Sequence, residues 1–298
     1  MRSRLLLAIL LLAGTAGFAQ QTGYKFTTTN FDDGWVSTSK EDWVEVAKGN
    51  IRVLLHYPRE GTIFPADSDP LTRAAWNILV APRYTALSNF KVLTPNDDNR
   101  GYMGCGNLID GGGHAVYVAL FRQGGGWIEF IAPDKAAFVN EFGVDADKLN
   151  FNSSGPIFNS MAKMANYNRF AVAAEDLAGT GKWGDHYSSS SFYVNYYTGR
   201  NEGMSTYSSS QYFIFGSGQH YTWDLLAVHW YAGQSTVGEG KGAGTFRSVG
   251  NWQLAFSDME GKPRTYDVYF SAVKGGRVLF MNDAKYPGSG VFKGFSKE

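Results

Sequence analysis

Eight short segments rich in β-branched and aromatic residues follow one another through the second half of the chain, at 179–186, 190–197, 209–215, 219–229, 244–249, 251–256, 264–273 and 277–282. Most joints between them are hairpin-sized. Gly216-Ser217-Gly218, Gly250-Asn251, Glu260-Gly261 and Lys274-Gly275-Gly276 supply the residue types that tight turns require. Alternation places Trp252, Leu254 and Phe256 on one face, and Tyr266, Val268, Phe270 and Ala272 on another. A run of hairpin-linked strands loses its exposed edges when the sheet closes on itself. The pattern therefore predicts an eight-stranded up-and-down β-barrel within residues 171–298.

Several short motifs fall in order along this stretch. Leu177-Ala178-Gly179-Thr180-Gly181-Lys182-Trp183 carries a Gly-x-Trp triplet in Gly181 and Trp183. Tyr212-Phe213-Ile214-Phe215-Gly216-Ser217-Gly218-Gln219-His220-Tyr221 follows, then Gly244-Thr245-Phe246, Trp252 and Leu254, and the run from Tyr266 to Phe270. Over about residues 176–283 this order resembles lipocalin-like barrel domains. Thr265-Tyr266-Asp267 departs from the second motif of that family, and no long helix follows the barrel. The resemblance implies that Trp183 packs against Arg277 as a barrel-closing structural pair, and that a small apolar ligand is held inside. An eight-stranded barrel is either filled by side chains or holds one such ligand. Tyr221, Trp223 and His229 share one strand face by parity, which leaves open whether that face looks inward. With Trp252 and Tyr269 they are the candidate ligand-binding residues.

The first half reads as an α+β antiparallel sheet with two helices, over residues 20–143. Strand-like runs at 24–31, 35–39, 43–47 and 50–57 are separated by Asp32-Asp33-Gly34 and Lys48-Gly49-Asn50. A helix follows, with Asp69 as cap, Pro70 at its first position and Leu71, Ala74, Ala75 and Ile78 on one face. Strands resume at 90–93, 102–109, 114–122 and 127–132. A second helix runs from Pro133 to a left-handed cap at Gly143, with Asp134 suiting its dipole. In element order alone this half is similar to the small α+β domains of PsbP-like proteins. Residues 144–170 read as a connector with a short helix from Pro156.

The chain opens with Arg2 and Arg4, an apolar run from Leu5 to Leu12 and the small-residue stretch 13–19. These are the parts of a secretion signal, and the apolar run is shorter than the roughly 20 residues a membrane span needs. Cleavage is expected near Ala19, within a signal of residues 1–19, giving a soluble periplasmic or extracellular protein with no integral membrane segment. Cys105 is the only cysteine, so stability outside the cytoplasm has to come from burial rather than disulfides. Without Arg2 and Arg4 the chain has 25 basic against 27 acidic residues. Such a balance gives no electrostatic footprint for nucleic acid.

Chemistry-bearing patterns are sparse. The five histidines, His56, His114, His186, His220 and His229, include no pair at helical ligand spacing. Neither a metal nor a cofactor is expected; His220 and His229 are the pair best placed to converge. The serine runs 188–191 and 208–210 lack a nucleophile elbow. Cys105 has His114 just across the Gly111–Gly113 turn, but reads as a small buried hydrophobe. Gly238-Glu239-Gly240-Lys241-Gly242-Ala243-Gly244-Thr245 lacks phosphate-loop spacing and reads as a flexible loop at the barrel rim. No catalytic residue is assigned. The chain reads as an exported, non-enzymatic lipocalin-like binder. The alternatives are a secreted enzyme with its site in a cleft of the α+β domain or at the barrel mouth, and an envelope interaction protein presenting Trp35, Trp43 and Trp127.

Overall fold

A computed structural model describes residues 26, 28–59, 61–93, 102–149, 153, 155–194, 201–231, 234–287 and 292–298. The signal segment and the start of the first expected strand lie outside the described residues. The fold is β-dominated and has two parts.

The first part is an eight-stranded antiparallel sheet. Its strands are β1 (Thr29–Asn30), β2 (Val36–Ser39), β3 (Trp43–Lys48), β4 (Ile51–His56), β5 (Tyr84–Leu93), β6 (Met103–Asp110), β7 (Ala115–Gln123) and β8 (Gly126–Ala132). They lie in the order β1-β2-β3-β4-β8-β7-β6-β5. Alternation makes both faces of the sheet apolar, and each is covered. Leu54, Leu108, Val118, Leu120 and Ile131 pack beneath α1 (Ser68–Ala75) and the π-turn Trp76–Val80 that extends it. Val53, Tyr117, Ala119, Ile128 and Phe130 pack on the opposite side against Phe138 and Phe142 of α2 (Lys135–Phe142).

Both helix starts differ in detail from expectation. The first helix begins at Ser68 behind Asp67, without a side-chain cap, and Asp69 pairs instead with Arg73 at 2.5 Å. Pro70 still falls in the first turn, where a missing N–H costs nothing. Asp134 is itself the cap of α2, accepting from Ala137 N at 2.8 Å. Gly143 ends that helix at φ +70°.

Residues 155–177 link the two parts through short helical turns, including α3 (Asn159–Ala162) and α4 (Ala174–Leu177). Phe170 bridges to Phe270 by two 2.9 Å backbone hydrogen bonds. The Asn168 side chain both donates to and accepts from the Ala272 backbone. On the other side Ser37 donates to the Tyr167 carbonyl at 2.7 Å. One continuous apolar cluster therefore runs from the sheet through this link into the barrel.

The second part is a closed antiparallel barrel of eight strands: β9 (Gly181–Val194), β10 (Asn201–Phe215), β11 (His220–Tyr231), β12 (Gln234–Ser248), β13 (Gln253–Met259), β14 (Lys262–Val273), β15 (Gly276–Asp283) and β16 (Lys293–Lys297). The expected number is met through two offsetting differences. The expected strands at 179–186 and 190–197 fall on one strand over Gly181–Val194, because Ser188-Ser189-Ser190 contains no chain-breaking residue and pairs in register with Thr206, Tyr207 and Ser208; residues 195–197 lie outside the described residues. The closing strand β16 escaped notice because only Phe295 in it is buried. The glycine-rich 238–245 segment is not a rim loop; it is the middle of β12, paired with β11 throughout. No helix among the described residues is long and apolar enough to cross a membrane.

Candidate functional site

The four strands β9–β12 are longer than the barrel needs. Among the described residues β9 meets β16 only at 183–184, and β12 meets β13 only at 246–248. The rest of β9–β12 rises past the barrel rim as a four-stranded wall on one side of the mouth.

Below the mouth the interior is filled by rings. Phe213 lies 5.3 Å from Phe295 and 5.6 Å from Phe256, centroid to centroid, and Phe215 lies 5.0 Å from Phe246. Tyr221 stacks edge-on to Phe256 at 4.9 Å, and Tyr221 OH donates to the Asp258 carbonyl. Burial raises the Tyr221 phenol above its ordinary pKa. At the base, Arg277 Cζ lies 5.8 Å from the Trp183 ring centroid and 4.1 Å from that of Phe270. Trp183 Nε1 donates to Thr180 Oγ1 at 2.8 Å.

Above Phe213 the packing stops and a cavity of about 350 Å³ opens. Its floor and walls are Phe213, Trp223, Leu225, Met259, Tyr266 and Met281. Its charges sit at the rim. Arg264 bonds Asp283 at 3.2 Å and also pairs with Glu260, and Lys293 donates to Gln211 Oε1 at 3.1 Å. Burial raises the pKa of Tyr266 beside them, against the pull of Arg264.

The glycines of β12 shape this space. Gly238, Gly240, Gly242 and Gly244 recur at the strand period of two, opposite Ala227, Leu225, Trp223 and Tyr221 of β11. Directly paired residues share a face, so the glycines are on the barrel's inner side. A Cβ on Gly242 would come within 2.2 Å of Trp223 Nε1, and one on Gly240 within 2.8 Å of the same indole. The bare backbone is what lets the Trp223 ring lie flat against β12, leaving the volume in front of it open. This period-two glycine signal was available in the sequence.

The five candidate ligand residues are dispersed. Trp223 lines the cavity, while Tyr221 is sealed in the ring stack below it. His229 shares their face but is exposed on the projecting wall, with Ser205 Oγ 2.9 Å from its Nε2. Trp252 and Tyr269 line a different cleft, of about 320 Å³, together with Arg169, Phe292 and residues 30–32 of the sheet. Arg169 Cζ stands 4.7 Å above the Tyr269 ring.

Other expected chemistry also lies apart. Cys105 is buried with its thiol pKa raised by that burial, whereas the His114 side chain is 78% exposed and faces Asp110 at 3.3 Å. His220 and His229 stand near opposite ends of β11. No group of three or more His, Cys, Asp or Glu able to hold a metal occurs among the described residues. Trp35 and Trp127 are buried and Trp43 is partly so, which removes them as an exposed aromatic docking face.

One constellation was missed. The Glu129 side chain is fully buried in β8, facing α1, with His56 Nε2 2.9 Å from its Oε2. Tyr84 OH donates to Oε1 at 3.0 Å, and Arg83 completes the set while lying over the Trp43 ring at 5.2 Å. Burial and the Glu129 charge push the Tyr84 phenol upward. The signal was there: Glu129 is the one charged residue in the strand Gly126–Ala132. No family model, curated protein or solved structure matches the chain.

Proposed function

We propose that this is an exported, lipocalin-like binding protein that takes a small, mainly apolar ligand at the mouth of its barrel. The observation that carries the reading is the 350 Å³ cavity walled by Phe213, Trp223, Leu225, Met259 and Met281, with its charges confined to the rim. Small-molecule sites have this form: apolar walls, volumes of roughly 300–1,000 Å³, and a few polar groups that fix orientation. The rim pairs Arg264–Asp283 and Lys293–Gln211 would orient the polar end of a ligand whose body is held below.

The test is titration with the neutral fluorophore N-phenyl-1-naphthylamine, following probe emission and Trp223 quenching. Saturable binding at one site is expected, and Leu225→Trp, which fills the cavity without adding charge, should weaken it at least tenfold. Unchanged binding in a folded Leu225→Trp variant would place the probe elsewhere and end the proposal.

A further inference from the structure

A second cleft, of about 310 Å³, lies at the end of the sheet on the face that carries α1. Its floor follows from strand register. Trp43 of β3 pairs with His56 of β4, His56 with Trp127 of β8, and Trp127 with Arg122 of β7. Directly opposed residues in antiparallel strands project to the same face. Indole, imidazole, indole and guanidinium therefore stand in one row across four strands, of which His56, Trp127 and Arg122 line the cleft. Arg59 and Phe64, from the segment that follows β4, form a wall, and Leu71 and Leu79 close the side toward the helix. Phe64 sits 6.5 Å from the Trp127 ring.

The charges lining this cleft have one sign. Arg59 and Arg122 both reach it, and among the described residues no acidic residue lines it and neither arginine has a salt-bridge partner. Of the carboxylates nearby, Asp42 is held by Lys274 at 2.9 Å, with Arg59 and His56 also acting on its charge, and Glu129 lies beneath the floor with Arg83 and Tyr84. Glu129 also fixes His56. With Nε2 against the carboxylate at 2.9 Å, the ring has a set orientation, and Nδ1 has no hydrogen-bond partner among the described residues. Buried carboxylates orient histidines at functional sites in this way.

We propose that the cleft is a second ligand site, for a small organic oxyanion, a carboxylate or phosphate monoester, whose apolar body rests on Trp127 and Phe64. Arg59 and Arg122 supply forked donors matched to such a head group. Trp127 provides the apolar floor, and His56, whose Nε2–H is given to Glu129, adds a donor from Nδ1 only as the imidazolium. The barrel mouth differs, since Arg264 is already ion-paired there with Asp283 and Glu260, and Lys293 is hydrogen-bonded to the Gln211 amide. The two sites select different molecules.

The test uses the full chain and three probes of one shape: 2-naphthoate, 2-naphthyl phosphate and the neutral 2-naphthalenemethanol, titrated by calorimetry. At least one anion should bind at least tenfold more tightly than the alcohol. Arg122→Gln should weaken that anion about tenfold, the scale of one hydrogen bond to a charged group, and leave N-phenyl-1-naphthylamine binding unchanged. Leu225→Trp should leave the anion unaffected. Equal affinity for the alcohol, no effect of Arg122→Gln in a folded protein, or loss of the anion in Leu225→Trp would each overturn the proposal. The last result would move the anion to the barrel mouth, so failure here is distinguishable from failure of the barrel reading.

Discussion

The two clefts invert one another. At the barrel mouth the walls are apolar and the ions stay at the rim, where water screens them. At the sheet the ions go inward: a carboxylate with no exposure lies under a helix, and the rings surround it. The rim pair Arg264–Asp283 keeps about a quarter of each side chain exposed, so solvent still weakens its attraction. A buried pair is different, since removing one partner strands the other in a poorly solvated place. The sheet thus holds its polar groups rigidly, whereas the barrel leaves its own free to reorganise around a guest.

The largest expected effect tests that contrast directly. Glu129→Ala should destabilise the protein by about 3 kcal/mol or more, measured by urea unfolding, because Arg83 and His56 lose their shared acceptor. Asp283→Ala at the rim should cost less than about 1 kcal/mol. Equal losses would erase the distinction between the two regions. An intermediate effect is expected from Gly242→Val. The new side chain would collide with the Trp223 indole, costing about 2 kcal/mol by overpacking and shifting tryptophan emission as the ring moves into the cavity. Unchanged emission would mean that the glycine strip does not set the ring's position.

The smallest effect concerns exposed charge on the sheet side. Lys135, and then Lys91, hold the Asp147 carboxyl below its ordinary 3.8, down to about 2. Its folded pKa is the lower one, so its contribution is complete above about pH 4 and is lost as pH falls toward 2. Melting temperatures of Asp147→Asn should therefore fall less steeply than wild type across that interval, and match its slope above it.

How much of this could be read from the chain depended on local signals. The barrel was legible because Glu260-Gly261 and Lys274-Gly275 adopt the tight turns their composition demands, with Glu260, Gly261 and Gly275 at positive φ. Parity grouped Tyr266, Val268, Phe270 and Ala272 on one face, and the structure makes that face the interior. Trp252 broke its apparent alternation by preceding β13, so it stays 37% exposed while Leu254 and Phe256 are buried. Tyr269 could not be assigned to the outer wall without knowing which face closes inward. The Glu129 cluster gathers from β4, β8, the turn after α1 and the start of β5, residues far apart in sequence, and only the tertiary fold brings them together. Its one local trace, a lone acid in an apolar strand, was legible and went unused.

The barrel closes where β16 meets β9, through Ser296↔Gly184 and Lys297↔Trp183. That seam joins residues more than a hundred positions apart, with six strands between them. Loop closure over such a span is slow, and it comes after the local hairpins have formed. A barrel lacking β16 would leave β15 and β9 with unpaired edges and Phe213 without its Phe295 partner. Its period of greatest risk of sticking to another copy of itself is set by the arrival of five residues, Lys293–Lys297.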